Sequence, residues 1–280
     1  MRYWLGAISI VMVVYAAMSG SPAQVPKGTI IKGGVMNPAP TAKDYADLAK
    51  LPDWSGVWDP KTSDQNAQIR SNPPPWNAKA QAEVRKMFDE FRAGKPRPII
   101  VNCLPHGMPS WMLITHNPME ILFTPGRVTM LGDGDGNRMR RIYTDGRGHR
   151  EDPDPTFHGH SIGHWEGDTL VVDTNDILPQ SFLAISEAVG VPNNGDMHIK
   201  ERIHLADKDT LHDDLEITAP QILTKPWTTT RIWVRQRARR LDIVEGVCLQ
   251  GSFIEKVDAN GFAVFVPEER SPYGNLIAPD

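Results

Sequence analysis

The sequence predicts a mainly β protein: an antiparallel barrel or meander with one amphipathic helix on its N-terminal side. Three observations carry this. From about residue 119 the chain is a succession of short runs of strand composition: MEILFT, RVTMLG, RMRRIYT, DTLVVDT, MHIKERIHL, TLHDDLEIT, TTTRIWVRQ, LDIVEGVCL and GFAVFV. Turn clusters such as GDGDGN and DKDT separate them, with no intervening helices of the kind a parallel α/β sheet requires. Ahead of them Val84, Met87, Phe88 and Phe91 recur at helical spacing, Asn77 can cap the start, and Gly94 with Pro96 closes the end, which predicts a helix near 78–93.

The first 23 residues carry Arg2, an apolar run from Tyr3 to Met18, and small residues at Ser21 and Ala23. This is the pattern of a signal peptide cleaved after Ala23, which predicts a periplasmic or secreted protein. The alternative is an uncleaved anchor, but the run falls short of the ~20 residues that span a bilayer, so no stable membrane insertion is expected after cleavage. Residues 24–50 lack sustained periodicity and read as an extended leader, leaving 51–280 as a single β-rich domain.

With 280 residues, 40% of them hydrophobic and 23% charged, the chain has ordinary globular composition and can bury a sizeable core. Its formal net charge is −4, and the basic cluster RQRARR sits between two apolar runs as a solvated strand end or turn. No nucleic-acid footprint follows from this, and the sequence leaves the oligomeric state open. Cys103 and Cys248 are the two cysteines, an even count for an oxidising compartment, and predict one disulfide; two buried thiols are the alternative.

Carboxylates interrupt the alternation. In MHIKERIHL, Glu201 falls among Met197, Ile199, Ile203 and Leu205; Asp213 falls with Leu211, Leu215 and Ile217; Glu245 falls with Leu241, Ile243 and Val247. Buried carboxylates need partners or protons, and Arg141, on the face shared by Met139 and Tyr143, is a candidate partner for Glu201. The group is then a polar pocket suited to acid/base work or a structural ion pair, unless a β-bulge flips the parity and puts Glu201 in water.

The stretch FHGHSIGHWEGDTLVVDT brings His158, His160 and His164 to one parity, but Gly159 and Gly163 favour a turn that scatters them, so no metal is expected there. Ser161 matches the letters G-x-S-x-G, yet a strand follows it where a nucleophile elbow needs a helix. The remaining reading makes His160 one half of an acid/base pair with Glu201 across a cavity, while Trp165 covers the open end. DGDGN lacks the glycine and glutamate of a calcium loop and reads as a hairpin turn. Without G-x-G-x-x-G, a phosphate-binding loop or C-x-x-C-H, no cofactor is expected.

GHSIG followed by WEGDTLVVDT, with DWSGVW, CLPHGMP, FTPGRVTML, RRIYTDGR, EDPDPTF, HIKERI, TKPW and EGVCLQG in order, resembles a family of exported bacterial proteins. The resemblance covers most of the chain after residue 23. That family usually has arginine where this chain has His164, which favours His160, Glu201 and Arg202 as site residues. Gly56 to Trp58 also resembles the G-x-W of lipocalin-like barrels, which implies a cavity for a small apolar ligand.

Two functions fit. One is a metal-independent lyase or isomerase acting on a small hydrophobic or aromatic compound, with hydrolysis as a variant. In it His160 and Glu201 exchange protons, Arg141 or Arg202 clamps developing negative charge, and His198, Glu245, Trp165 and Tyr143 contact substrate. The other is a lipocalin-like binding protein for an apolar ligand.

Overall fold

Where the runs alternate, one set of side chains turns inward, and nine such strands close on one another into a barrel. The computed structural model describes residues 29–31, 34–93, 105–133, 138–151, 154–186, 188–238, 242–246, 254–257 and 263–265. The segment 1–23 expected to be a signal peptide, Cys103, Cys248 and the GDGN part of the first turn lie outside the described residues.

Residues 1–38 and 39–280 form two compact units. In the first, β1 (Thr29–Ile31) pairs antiparallel with β2 (Gly34–Met36). The second begins with α1 (Ala42–Asp47), where Thr41 and Asp44 form a reciprocal capping box, and a single 3-10 turn follows at Leu48–Lys50. Residues 34–50 thus carry a strand, a helix and a 3-10 turn where the sequence predicts an extended leader. The signal is the cap T-x-x-D, which hydrophobic periodicity does not register.

The barrel strands are β3 (Val57–Pro60), β4 (Met119–Thr124), β5 (Arg127–Gly132), β6 (Met139–Tyr143), β7 (His160–Glu166) and β8 (Thr169–Asn175). The hairpin β9 (Phe182–Ser186) and β10 (Val189–Pro192) stands outside the ring. Then β11 (His198–Asp207), β12 (Thr210–Thr218) and β13 (Trp227–Gln236) complete the ring by pairing β11 with β8 and β13 with β3. Every junction is antiparallel except β6 to β7, which is parallel and pairs only Ile142 with Ser161 and Tyr143 with Ile162. A further pair, β14 (Ile254–Val257) and β15 (Ala263–Phe265), is antiparallel.

Among the described residues, four helices accompany the strands where the sequence predicts one. The expected helix is α3 (Ala78–Arg92), capped by Asn77 and buried along Ala80, Val84 and Met87. The others are α2 (Thr62–Ser71) and α4 (Ser110–Ile114), with α1 before them. α2 has little apolar stripe to detect; Gln65 and Ile69 are its buried residues. Its polar side chains instead complete β13, whose first half has no β3 partner: Gln68 Nε2 donates to Thr230 O (2.8 Å), Asn72 Nδ2 donates to Thr228 O (2.8 Å), and Gln68 Oε1 accepts from Thr230 N (2.9 Å). An open strand edge is thereby covered.

The barrel interior is filled by its own side chains. Trp58, Met130, Ile142, Leu170, Ile199 and Trp233 are all buried, each contributing about 1.5–3 kcal/mol through burial. Gly56 and Trp58 of the G-x-W lie at the barrel base, where Trp58 Nε1 donates to Trp54 O (3.0 Å) and the Arg235 guanidinium lies 4.5 Å from the ring centre.

Among these side chains sits a charged network. Arg140 Nη1 donates to Glu201 Oε1 at 2.7 Å and Nη2 to Oε2, and the same guanidinium donates to Ser161 Oγ (3.2 Å) and Thr174 Oγ1 (3.0 Å). Glu201 therefore faces inward, but its partner is Arg140 and not Arg141, which is exposed on the outer face of β6 beside Met139. Asp213 is also inward and fully buried, and neither of its oxygens accepts a hydrogen bond. Burial, reinforced by the nearby Glu201 charge, pushes its carboxyl well above the usual range. Arg231, opposite Asp213 on β13, donates to Leu113 O (3.3 Å) and Thr115 O (2.5 Å) at the end of α4, and burial pulls it down to about 10. Glu245 breaks the pattern: residues 242–246 form no strand, and Glu245 is exposed.

Removing one partner of the buried pair leaves the other charge uncompensated, so Glu201→Gln should cost about 3–5 kcal/mol in chemical denaturation. For Asp213 the sign is opposite. Its folded pKa exceeds the unfolded value of 3.8, so the folded chain retains a proton that the unfolded chain releases, and stability declines as pH rises above about 4. Asp213→Asn should raise the melting temperature at pH 8 and leave it nearly unchanged at pH 4. A lower melting temperature at pH 8 would refute a neutral buried Asp213.

Candidate functional site

On β7 the inward parity belongs to Ser161, Gly163 and Trp165, so His160, Ile162 and His164 lie on the outer wall. Asp173 on β8, His198 on β11 and Tyr143 on β6 have the same outward parity. Gly159, with φ +68°, lets the chain enter β7 where a Cβ would run into Asn175 O and Ile177 Cγ1. The adjoining residue, His160, is 7% exposed.

His160 forms the centre of a cluster. Its ring stacks on Tyr143 (centroids 5.6 Å, 30°), and Arg147 lies over the other ring at 3.8 Å from its centre. His160 Nδ1 is 3.1 Å from Nδ1 of His149, which belongs to the connection between β6 and β7. His149 Nε2 donates to Asp173 Oδ1 (3.0 Å), and His198 Nε2 donates to the same oxygen (2.6 Å). Burial pushes Asp173 up, but these two hydrogen bonds outweigh it and hold the carboxyl below its usual value.

The tautomers follow. An ionised carboxylate only accepts, so neutral His149 carries its proton on Nε2 and presents a lone pair at Nδ1 to the Nδ1–H of His160. His160 then has a lone pair at Nε2, which makes no hydrogen bond among the described residues. Burial, aided by Arg150 and His149, pulls His160 down to about 4, so the His160 ring is neutral near pH 7.

Next to this cluster a concavity of about 940 Å³ runs across the outer faces of β7, β8, β11, β12 and β13. Ile162 and Val171 supply half-buried apolar floor; Lys200, Arg202, Asp214 and Glu216 supply charges of both signs; Arg147 and Gln68 stand among the lining residues. Asp173 belongs to both the concavity and the cluster.

Of the residues expected to form a site, the structure unites His160, Tyr143 and His198. His160 and Glu201 lie on opposite faces of the wall and cannot exchange a proton directly. Arg202 lines the concavity and donates to Glu166 Oε2 (3.0 Å), whereas Arg141 and Glu245 are exposed elsewhere. Trp165 packs near Trp54 (5.3 Å) and Phe123 (5.7 Å), toward the far end of β7 from His160.

The three histidines do not converge. His158 turns inward against Trp111 (5.6 Å), where burial pulls it down to about 4, and His164 is exposed beside Glu166. Ser161 is buried as a partner of Arg140 and Thr174, a structural role. His149, Asp173 and Arg140 escape the sequence reading. The signal for Asp173 is its outward parity in TLVVDT; His149 lies in the turn-rich TDGRGHRED, which gives no periodic signal.

Fold and site define a closed β-barrel with a filled interior and an external concavity bordered by a histidine–aspartate cluster. No family model and no curated protein matches the chain. Among solved structures it is similar to the REP1-NXSQ fatty acid transporter (10% identity, 69% of this chain and 99% of that chain, TM-score 0.32). It is also similar to the wild-type fluorescent protein UnaG (10% identity, 65% and 97%, TM-score 0.29). Likeness at this level says nothing about ligand or activity.

Since a Cβ at residue 159 meets backbone, Gly159→Ala should destabilise the fold by more than about 1 kcal/mol. His160 Cε1–H in the proton NMR spectrum should shift with it; an unchanged melt and spectrum would show that the entry to β7 tolerates a side chain.

Proposed function

We propose that the protein binds a small, mainly apolar or aromatic molecule in the outer-wall concavity. The observation that carries this is the concavity itself: its volume, about 940 Å³, lies within the range of about 300–1,000 Å³ of small-molecule sites, and a short apolar floor is bordered by a few polar groups. The buried interior supports the outer location, because Trp58, Met130 and Trp233, among the described residues, are packed with almost no exposed surface. In this reading the N-terminal segment directs the protein to the periplasm or beyond, and the ligand is met there.

A second reading, favoured by the chain Asp173–His149–His160, is enzymatic. His160 Nε2 takes a proton from the bound molecule, His149 and Asp173 stabilise the imidazolium, and Arg147 or Arg202 balances negative charge on the substrate. This is the proton transfer of a lyase or isomerase, without Glu201.

Binding is tested with an apolar fluorescent dye such as anilinonaphthalene sulfonate. Val171→Glu, which places a charge on the floor, should weaken dye binding about tenfold, or about 1.4 kcal/mol, and leave the melting temperature little changed. Undiminished binding by that variant would remove the concavity as the site. For the enzymatic reading, Asp173→Asn should depress kcat by about 10²–10⁴-fold on any turned-over compound while its binding persists. Equal loss of binding and turnover would mark Asp173 as a binding group alone.

A further inference from the structure

We propose that His149, His160 and Asp176 form a site for one divalent transition-metal ion of the zinc or iron(II) class. Their donor atoms all lie within 4.8 Å of one another, and the two Nδ1 atoms are 3.1 Å apart. Two nitrogens held tetrahedrally at about 2.0–2.1 Å from zinc stand roughly 3.4 Å apart, so the rings need to separate by only a few tenths of an ångström.

Two further observations point to the same occupant. Asp176 follows β8 with φ +56°, and its Oδ2 is buried without a hydrogen-bond partner. His149 already has the tautomer that ligation requires: Nε2–H bonded to a carboxylate, and a lone pair at Nδ1 that now accepts from His160. Asp173 is in turn fixed by His198, which completes the carboxylate–histidine–metal arrangement of built sites. Of the charged groups around His160, Arg147 is engaged by Asp145 and Arg150 stands near; Asp145, Asp173 and Asp176 outnumber these two cations. A dication is electrostatically tolerable there.

Two imidazoles and one carboxylate suit zinc or iron(II), and three protein ligands leave a coordination position open, as in reactive sites. The ion takes the place of the proton shared by the two Nδ1 atoms, and the His160 proton relocates to Nε2. Metal and proton relay therefore exclude each other at this cluster. The inference goes beyond small-molecule binding and does not rest on it, since the metal is titrated without any ligand in the concavity.

The test uses the full chain, stripped with chelator and titrated with Zn²⁺ by calorimetry and with Co²⁺ by visible absorption. One equivalent should bind, with the intense visible bands of a low-coordinate cobalt ion. His149→Ala and Asp176→Asn, each checked for folding by circular dichroism, should weaken binding by at least about tenfold, and Asp173→Asn by about 10–100-fold. His149→Asp, which keeps a donor, should recover part of the affinity. His212→Ala removes one ring of another adjacent pair, His204 with His212 at 5.6 Å, and should change nothing. Absence of binding, binding unaffected by His149→Ala and Asp176→Asn, or binding lost in His212→Ala would each overturn the proposal.

Discussion

The Arg140–Glu201 ion pair holds together a part of the barrel that backbone hydrogen bonding holds only weakly. The seam between β6 and β7 pairs just two residues on each side. Arg140 projects inward from β6 and reaches Ser161 on β7, Thr174 on β8 and Glu201 on β11, so one guanidinium spans the seam and the next two junctions. A buried ion pair gains little net energy once desolvation is counted, but its directional bonds admit one register. The register matters because Ser161 is the neighbour of His160. A slip of one residue along β7 would exchange the faces of Ser161 and His160.

A filled interior decides where chemistry can occur. Tryptophans and methionines occupy the volume, and the polar atoms inside are largely committed to one another or to the end of α4. The reactive groups therefore collect outside, where the wall is overlain by the connection carrying Arg147 and His149. There, water can reach His198 and Asp173, whereas His160 stays buried against Tyr143.

Much of this was legible from alternation. The inward positions of Glu201 and Asp213 follow from long strands with apolar residues on both sides of the acid. Arg140 and Arg141 could not be separated the same way, because Met139 and Tyr143 make the outer face of this short strand look as apolar as the inner one. Met139 is nonetheless 45% exposed. His160 was assigned to the wrong side because it lies at the very start of its strand, after a glycine that resets parity. His149 was invisible because its position depends on the parallel pairing of β6 with β7, a non-local event with no periodic signature. Glu245 departs for a simpler reason: residues 242–246, where it lies, form no strand.

The seam has a consequence for how such a protein can diversify. Antiparallel neighbours are joined by turns of a few residues, but a parallel junction obliges the chain to travel back along the barrel before re-entering it. That return path is residues 144–159, and it contributes His149 and Arg147 to a rim whose other members are anchored in strands. Four members of the cluster, Tyr143, His160, Asp173 and His198, are thus built on scaffold, and two, Arg147 and His149, on a detour that topology makes compulsory. Changes of length or composition in the detour alter what is set against His160 while the wall, its register and its interior stay as they are.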